Sequence, residues 1–332
     1  MTNIRIHRNE NLLYPRYHNT WFAYFVDYCR HFFQVDYVNY WSNVDDHVNQ
    51  NIKLILQQPL EGIGNQFTLS DVDMVIENLD NNQVSVISFT EYFNSVTVHY
   101  MRSQYFKSMV LSHFNYHHMY HWIKRDGLLH KIHQVRPSIF PLYLDFDIDY
   151  YRNLRDSTEL KQQLFYKGSG YSSYRRAVGL LGEQNKINLT HVDFAEYLRI
   201  LSESDMALSY YLDLDKYHSP WEHPGEFCYR DMEYMAIGVP FVRIEYRDSV
   251  YNGLYPNHHY VSINRETAYQ VYRDQGNEGI ADLLYSKYLE VRNDHEFLKF
   301  VSNNQRQYYD SYCRLEKSSE LVFRQLKLQD WI

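Results

Sequence analysis

Residues 225–246, GEFCYRDMEYMAIGVPFVRIEY, begin as a charged, polar run and end as an apolar one. The composition of Asp231–Ile237 is compatible with a helix, Gly238 supplies a helix stop, and Pro240 opens an apolar strand. In an open α/β sheet, ligands bind where strand ends meet helix N-termini, because unpaired amide N–H groups and the helix dipole favour anions there. The segment therefore predicts a helix followed by a strand, with a ligand site near the start of the helix.

The chain on both sides of this segment alternates between strand-like and helix-like stretches. Strands are predicted at LFYKG, KINL, DMALSYY and HHYVSI, and helices at YRRAVGLLG and DFAEYLRILSES. Strand, helix and strand recur here at the spacing of βαβ units. Residues 277–328 have a helical pattern throughout, and long terminal helices of this kind often brace two domains together.

The first half of the chain shows a similar alternation. Strands are predicted at NIRIH, VDYVNYW, DVDMVIEN and QVSVISF, with a helix at about residues 20–33, and this order favours a parallel sheet. The prolines and charges of PSIFPLYLDFDIDYYRNLRDS indicate a connector. We therefore predict an α/β protein with one domain at residues 1–155, a second at 156–310, and a C-terminal helix at 311–332 that packs back on the domains.

Composition limits the class of protein. The 332 residues are 45% hydrophobic, with 34 Tyr and 18 Phe, which is enough for globular cores rich in aromatic rings. Cys29, Cys228 and Cys313 have neither zinc-site spacing nor the even count of a disulfide framework, which favours a reducing compartment. Charges through the first thirty residues argue against a signal peptide, and no apolar run has the length of a membrane span. We expect a cytoplasmic protein, in the host cytoplasm if the chain is viral.

The charged residues of the opening segment suit a nucleotide. Arg230 and Glu233 are three positions apart on the predicted helix, so their side chains share a face. The arginine can bind phosphate, and the glutamate can accept hydrogen bonds from ribose hydroxyls. Glu226 lies near the N-terminus of the same helix. The alternative is that Arg230 and Glu233 form only a solvated surface ion pair.

A second segment has the composition of a phosphate cradle. Residues 166–176, YKGSGYSSYRR, follow a predicted strand and supply two glycines together with Lys167, Ser169, Arg175 and Arg176. The segment lacks the residue order of a Walker loop and the glycine spacing of a dinucleotide-binding turn. A surface turn with incidental charges is the alternative interpretation.

Taken together, residues 160–310 resemble the nucleotide-sugar-binding half of GT-B glycosyltransferases. Glu233-Tyr-Met-Ala-Ile-Gly-Val-Pro is similar to the Glu-x-Met-Ala-x-Gly-x-Pro signature of that superfamily, whose glutamate holds the donor ribose. Arg230-Asp-Met-Glu233 and YPNHHYVSI resemble stretches of exostosin-like and CAP10-like members, and EVRNDHEFLKFVSNNQRQYY resembles their terminal helices. The resemblance implies a GT-B fold, in which two Rossmann-like domains face each other across a cleft, with C-terminal bracing helices.

The implied activity is sugar transfer from a nucleoside diphosphate sugar, most readily a UDP-sugar, to an acceptor hydroxyl. Cations and helix-terminal N–H groups would stabilise the leaving diphosphate, so that no metal or other cofactor is required. Glu91, directly after a predicted strand, is a candidate for the catalytic base, although an ordinary loop carboxylate is the alternative. The spacing of Glu226 and Glu233 differs from that in many retaining members, so the stereochemistry stays open. The candidate donor-binding residues are Lys167, Ser169, Arg175, Arg176, Glu226, Arg230 and Glu233.

The aspartates of LDFDID suggest a competing, metal-dependent chemistry. Asp145, Asp147 and Asp149 could hold Mn²⁺ or Mg²⁺ against a diphosphate, as in GT-A enzymes. Their alternation with apolar residues favours instead a strand with one solvated face, and no metal site is predicted.

Residues 98–136 form a basic tract with a local formal charge of +5 in a chain of net charge −8. Histidines and aromatic residues are interleaved with the cations, a pattern that can follow a phosphate backbone and stack bases, or bind an acidic glycan. A basic helical surface with aromatic residues facing the core is the alternative. The candidate acceptor-binding residues are Arg102, Lys107, Lys124 and Arg125.

Two acceptors and a non-enzymatic function remain open from the sequence. The acidity of the whole chain favours a glycan or small saccharide as the acceptor. The basic tract and the compact chain, for which no signal peptide is expected, keep duplex DNA as an alternative acceptor. In that case the function would resemble that of the phage-type enzymes that glycosylate hydroxymethylated cytosine. A third hypothesis is a nucleotide-sugar-binding or carbohydrate-binding protein without turnover, since a fold does not establish an activity.

Overall fold

The computed structural model describes residues 1–8, 15–39, 73–88, 100–111, 116–138, 146–167, 173–184, 186–189, 192–209, 214, 229–246 and 253–332. The chain divides into two compact units. Unit 1 consists of residues 1–145 and 314–332, and unit 2 of residues 146–313. The sequence places the boundary at residue 155, which lies inside the helix Ile148–Ser157 of unit 2. Within the described residues, no helix combines the length and the apolar character needed to cross a bilayer.

Unit 1 contains a six-stranded sheet in the order β2-β1-β3-β4-β5-β6. All neighbouring pairs except those made by β3 are parallel. The strands are β1 (Asn3–Arg8), β2 (Gln34–Asn39), β3 (Asp73–Asn78), β4 (Gln83–Ser88), β5 (Phe106–Leu111) and β6 (Val135–Pro137). The helices are α1 (Pro15–Arg30), α2 (Tyr116–Arg125), the 3₁₀ helix Leu129–Gln134, α9 (Leu315–Gln325) and the 3₁₀ helix Leu328–Trp331.

The expectation of an entirely parallel sheet is wrong at β3, which is antiparallel to both β1 and β4. Residues 79–82 connect β3 to β4, and a parallel crossover needs a dozen or more residues. The Asn78 side chain accepts hydrogen bonds from the backbone N–H groups of Asp80 and Asn81, and Asn82 adopts φ 51°. These features close a tight hairpin turn.

Residues 314–332 complete the core of unit 1. Trp21 Nε1 on α1 donates a hydrogen bond to Ser318 Oγ on α9 at 2.8 Å. The ring centres of Phe33 and Phe323 are 5.8 Å apart. The C-terminal segment therefore packs on the first helix of the chain and belongs to unit 1.

Unit 2 contains a five-stranded sheet in the order β11-β10-β9-β7-β8, and every neighbouring pair is parallel. The strands are β7 (Lys161–Tyr166), β8 (Ile187–Leu189), β9 (Ser204–Leu208), β10 (Phe241–Ile244) and β11 (Val261–Ile263). The helices are α3 (Ile148–Ser157), α4 (Ser173–Glu183), α5 (Phe194–Glu203), α6 (Tyr229–Ile237), α7 (Arg265–Val291), α8 (His295–Tyr308) and the π-helix Tyr309–Cys313. The βαβ alternation predicted for this half is confirmed, and both units belong to the α/β class.

The terminal helical pattern is confirmed, but the helices begin earlier than residue 277. α7 starts at Arg265, where the side chain of Asn264 accepts a hydrogen bond from the N–H of Thr267 at 3.1 Å. Gly276 has non-helical backbone angles inside α7 and kinks it. The helical run therefore consists of three separate α-helices, of which α9 belongs to unit 1.

The strand expected at LDFDID is wrong for the described residues 146–149. Asp147 is the N-cap of α3, and its carboxylate accepts a hydrogen bond from the N–H of Tyr150 at 2.9 Å. Aspartate favours this position because its side chain replaces a missing helical acceptor. Asp149 lies in the first turn of the helix, and Asp145 is outside the described residues. In the part of the chain that the structure describes, no group of three or more His, Cys, Asp or Glu side chains could hold a metal ion.

Candidate functional site

The strand order of unit 2 places a topological switch point at the carboxyl ends of β7 and β9. β7 is the first strand of the sheet in the chain, yet β8 lies on one side of it and β9 on the other. The connections that leave these strands run in opposite directions, and ligands of open α/β sheets bind at such a switch point. Lys167 directly follows β7, and α6 is the helix that comes after β9.

Three of the predicted donor-binding residues lie around one tyrosine at this switch point. Lys167 Nζ lies 4.4 Å from the centre of the Tyr197 ring, and the guanidinium carbon of Arg230 lies 5.7 Å from it. The Tyr197 hydroxyl donates a hydrogen bond to Glu233 Oε2. Lys167 Nζ also donates to the carbonyl of Val192 at 3.1 Å, in the segment after β8. We call Lys167, Tyr197, Arg230 and Glu233 the Tyr197 cluster.

The electrostatics of the Tyr197 cluster favour an anionic, hydroxyl-bearing ligand. Burial raises the pKa of the Glu233 carboxyl, and the nearby Arg230 and Lys167 oppose that rise. Burial, with a contribution from Arg230, lowers the pKa of Lys167. The pKa of Tyr197 is well above its ordinary value because the ring is buried beside the glutamate, so its hydroxyl remains a donor. A carboxylate has room for further donors, and the two half-buried cations can bind phosphate.

A buried ion pair fixes the first turn of α6 to the ends of β9 and β10. Arg243 Nη1 donates to Asp231 Oδ2 at 2.8 Å and to Ser209 Oγ at 2.5 Å. Tyr246 donates its hydroxyl to the same Asp231 oxygen at 2.5 Å. The side chains of Asp231 and Arg243 are both 0% exposed. Charges buried to this degree persist because they are paired and hydrogen-bonded, and the network holds the helix in register with the sheet.

Side chains from α3 and α8 hold the other end of α6. Gly238 follows the helix with φ +86°, a left-handed conformation that terminates it. Cationic donors at a helix C-terminus satisfy its last carbonyls and interact favourably with the helix dipole. The two cationic donors are Arg152 Nε, 2.6 Å from the Ala236 oxygen, and Arg306 Nε, 2.9 Å from the Ile237 oxygen. Ser302 Oγ, a neutral donor, lies 2.6 Å from the oxygen of Gly238. Both ends of the helix that carries Arg230 and Glu233 are thus fixed.

The remaining donor-binding candidates are only partly described. Arg175 and Arg176 lie in the first turn of α4, the helix after β7, the former half-buried and the latter exposed. Ser169 and Glu226 lie outside the described residues, and so does the candidate base Glu91.

The acceptor-binding candidates lie mostly where the strands of the unit 1 sheet begin. Arg102 and Arg125 form ion pairs with Asp126 at 3.0 and 3.4 Å, respectively. Asp126 directly follows α2, the helix that runs back toward the start of β5. Lys107 is the second residue of β5, and Lys124 is exposed in the last turn of α2. This is the amino edge of the parallel strands, opposite the edge where α/β sheets bind ligands. The acceptor role of these residues stays a prediction.

Sequence reasoning does not identify Tyr197 as a site residue. Phe194, Tyr197, Leu198 and Leu201 recur at helical spacing on α5, which is the pattern of a face that packs on a core. Only the polar tip of the tyrosine distinguishes it from its neighbours. Its role becomes visible once Glu233, which is distant in the sequence, lies within hydrogen-bonding distance of its hydroxyl.

No protein-family model matches the sequence, and no curated protein matches it either. Several solved structures are similar to the chain. The pneumococcal O-GlcNAc transferase GtfA, in complex with UDP and GlcNAc, matches 73% of this chain with 10% identity and a TM-score of 0.41. A glycosyltransferase from Rickettsia africae matches 67% with 13% identity and a TM-score of 0.39. Sucrose-phosphate synthase from Thermosynechococcus elongatus matches 98% with 15% identity and a TM-score of 0.37. The matched regions span 52%, 64% and 73% of those three chains, respectively.

Proposed function

We propose that this protein is a glycosyltransferase that moves a sugar from a nucleoside diphosphate sugar to an acceptor hydroxyl. The observation that carries the proposal is the Tyr197 cluster at the switch point of the unit 2 sheet. Two cations and a tyrosine-bound carboxylate lie there beside the start of α6. That combination suits a nucleotide, which offers ribose hydroxyls and phosphate oxygens at neighbouring positions.

Each member of the cluster has a distinct role in donor binding. Glu233 accepts hydrogen bonds from the ribose hydroxyls while Tyr197 holds its carboxylate in place. Arg230 and Lys167, together with N–H groups at the start of α6, bind the diphosphate. Arg175 and Arg176 extend the cationic surface after β7. The similarity to exostosin-like and CAP10-like members is part of this proposal, and its support is the spacing of Arg230 and Glu233 on one helix face.

The chemical step separates the anomeric carbon from the diphosphate and joins it to the acceptor oxygen. The electron pair of the broken bond stays on the leaving diphosphate, where Lys167 and Arg230 stabilise the added negative charge. The acceptor hydroxyl loses its proton to a base, for which Glu91 remains the candidate. We propose a UDP-sugar as the donor and a mechanism that needs no divalent metal, and unchanged turnover after chelation with EDTA would support this.

We propose a glycan or small saccharide as the acceptor, bound by unit 1. The net charge of −8 disfavours a polyanionic acceptor, because long-range repulsion slows the approach of such a molecule.

A thermal-shift screen with UDP, GDP, dTDP and CMP compounds tests donor binding directly. A nucleotide that binds the folded chain stabilises it by RT ln(1 + [L]/Kd), where [L] is the free nucleotide concentration, and so raises the unfolding temperature. The variants Arg230→Ala, Glu233→Ala and the volume-conserving Glu233→Gln should each abolish the shift. Arg273→Ala and Glu278→Ala, which alter exposed charges on α7, serve as matched controls and should keep it.

Three outcomes would contradict the proposal or a part of it. A full shift in all three cluster variants would remove these residues from the nucleotide site. Nucleotide-sugar binding without release of free nucleotide, with a panel of saccharide acceptors, would instead indicate a binding protein without turnover. Retention on duplex DNA that falls steeply with salt would point to a nucleic-acid acceptor.

A further inference from the structure

Unit 1 contains a cavity of about 460 Å³ at the amino edge of its sheet. The cavity lies where β4, β5 and β6 begin, and the C-terminal segment of the chain closes one side of it. Its volume falls within the range of roughly 300–1,000 Å³ that is typical of small-molecule sites. We call it the amino-edge cavity, and its walls include Gln83, Lys107, Gln134, Arg136, Lys327 and Asp330.

The charges around the amino-edge cavity are predominantly positive. Lys107, Arg136 and Lys327 line it, whereas Asp330 carries the only carboxylate among the described lining residues. Lys107 Nζ lies 3.7 Å from an Asp330 oxygen and 5.1 Å from the centre of the Trp331 ring. One acid therefore offsets one cation, and the cavity keeps a formal excess of two positive charges. Such an excess matches a phosphate monoester, which is close to a dianion at neutral pH.

Carboxamides make up much of the remaining wall. A carboxamide offers both donors and acceptors, so a group of them complements the hydroxyls of a sugar. The carboxamide residues are Asn81, Asn82, Gln83, Gln104, Gln134 and Gln325.

The cavity is held together by contacts between distant parts of the chain. Trp331 Nε1 donates to Gln83 Oε1 at 2.9 Å, across to the start of β4. Lys107 Nζ donates to the carbonyl of Lys327 at 3.2 Å, and Lys327 adopts φ 54°. The left-handed conformation of Lys327 ends the helical run before the last 3₁₀ helix and sets both segments against the cavity. The walls are therefore preformed, which reduces the entropy lost when a ligand binds.

We propose that the amino-edge cavity is a second ligand site and that it binds a phosphorylated monosaccharide. The phosphate lies against Arg136 and Lys327, and the sugar hydroxyls bind the carboxamides, including Gln134. This site is separate from the donor site proposed for unit 2, because every residue that lines it belongs to unit 1. Lys107, one of the acceptor-binding candidates, also lines this cavity.

Isothermal titration of the full chain with glucose 6-phosphate, mannose 6-phosphate and ribose 5-phosphate tests the proposal. At least one of them should bind at roughly millimolar concentration or below, and glucose or inorganic phosphate alone should bind about tenfold more weakly. Lys327→Gln and Arg136→Gln should each weaken binding about tenfold or more, since each removes a charge-assisted contact. Gln134→Leu should weaken the binding of the sugar phosphate but not the binding of inorganic phosphate. Lys317→Gln, an exposed cation on α9 outside the cavity, is the matched control and should change nothing.

The proposal is overturned if no sugar phosphate binds, if inorganic phosphate alone binds as tightly, or if Lys327→Gln and Arg136→Gln both bind like the unaltered chain. Lys327 is exposed, so its variant should fold, and an unchanged melting temperature without ligand checks this. The UDP-induced shift should persist in Lys327→Gln. That result separates a failure at this cavity from a failure of the donor site in unit 2.

Discussion

At the scale of single residues, Tyr197 has two functions in unit 2. Its ring lies beside Lys167 and Arg230, and its hydroxyl donates to Glu233. Tyr197→Phe keeps the ring but leaves the buried carboxylate without this donor. We expect the free energy of unfolding to fall by about 1–3 kcal/mol, and nucleotide affinity to fall about tenfold, because the glutamate loses its orientation.

Urea unfolding and titration with UDP measure the two effects of Tyr197→Phe. Tyr150→Phe removes the hydroxyl of an exposed tyrosine on α3 and is the matched control. Unchanged nucleotide affinity in Tyr197→Phe would show that the hydroxyl does not position the glutamate for binding.

His259 gives unit 2 a predictable loss of stability in acid. The residue is 8% exposed, and its Nδ1 atom accepts a hydrogen bond from the N–H of Tyr255 at 3.0 Å. Burial, with a smaller contribution from His258, lowers its pKa from 6.5 to about 4. Between pH 6.5 and about 4, His259 is therefore protonated in the unfolded chain but mostly neutral in the folded chain. The stabilising effect is fully present above pH 6.5 and is lost as the pH falls toward 4, by at most about 3 kcal/mol.

His259→Asn isolates this effect from the titration of carboxylates. The asparagine oxygen can replace Nδ1 as the acceptor, but the side chain does not titrate. As the pH falls from 6.5 toward 4, the unaltered chain should therefore lose more unfolding free energy than the variant. The stability advantage of the unaltered chain should shrink or be reversed. His295→Asn, at an exposed histidine on α8, should keep the original pH dependence. Parallel curves for the unaltered chain and His259→Asn would contradict the low pKa.

The sequence identifies some of these residues but not their partners. Lys167 and Glu233 are recognisable because a cation after a strand and a glutamate in a helix near its start are local patterns. Tyr197 belongs to the core-facing pattern of α5, and its contact with Glu233 joins residues that are 36 positions apart. A single sequence contains no signal for such a long-range hydrogen bond. Glu226 and Glu91 remain predictions, since they lie outside the described residues.

At the scale of elements, α6 depends on the glycine that ends it. A Cβ atom at Gly238 would lie 2.3 Å from Arg306 Nε and 2.9 Å from Ser302 Oγ, two atoms that donate to the last carbonyls of the helix. Gly238 also has φ +86°, which costs an alanine about 1–2 kcal/mol by itself. Gly238→Ala should therefore destabilise the protein by at least about 2 kcal/mol.

The matched control for Gly238→Ala is Gly179→Ala in α4. No atom lies within 4 Å of a Cβ at Gly179, so the substitution should stabilise the protein by up to about 1 kcal/mol through helix propensity. Urea unfolding compares the two, and UDP titration shows whether the displaced α6 still presents Arg230 and Glu233. Equal effects of both substitutions would contradict the role assigned to the end of α6.

The sequence predicts elements best where their pattern is long. α6, its glycine stop and β10 are predicted correctly because the composition changes clearly along one segment. The failures occur where a short local interaction decides the structure. Asp147 caps a helix although its neighbours alternate like a strand, and β3 turns back through a hairpin although its neighbours favour a parallel sheet.

At the scale of the whole molecule, the two units differ in how the chain builds them. Unit 2 is one continuous segment, residues 146–313, whereas unit 1 needs both residues 1–145 and residues 314–332. The buried Phe323, Leu326 and Trp331 come from the second segment of unit 1. A fragment that lacks them exposes the apolar surfaces of α1 and β5 to water, and burial of such surface is the main source of stability.

We therefore expect the fragments to behave differently. Residues 146–313 alone should unfold cooperatively in urea and bind UDP as the full chain does, because the whole Tyr197 cluster lies within them. Residues 1–145 alone should show no cooperative transition, and addition of a peptide of residues 314–332 should restore one. Circular dichroism during urea titration measures each transition. A cooperative transition of residues 1–145 at the midpoint of the full chain would mean that the C-terminal segment is dispensable. Loss of UDP binding by the 146–313 fragment, if it folds, would mean that donor binding needs groups from unit 1.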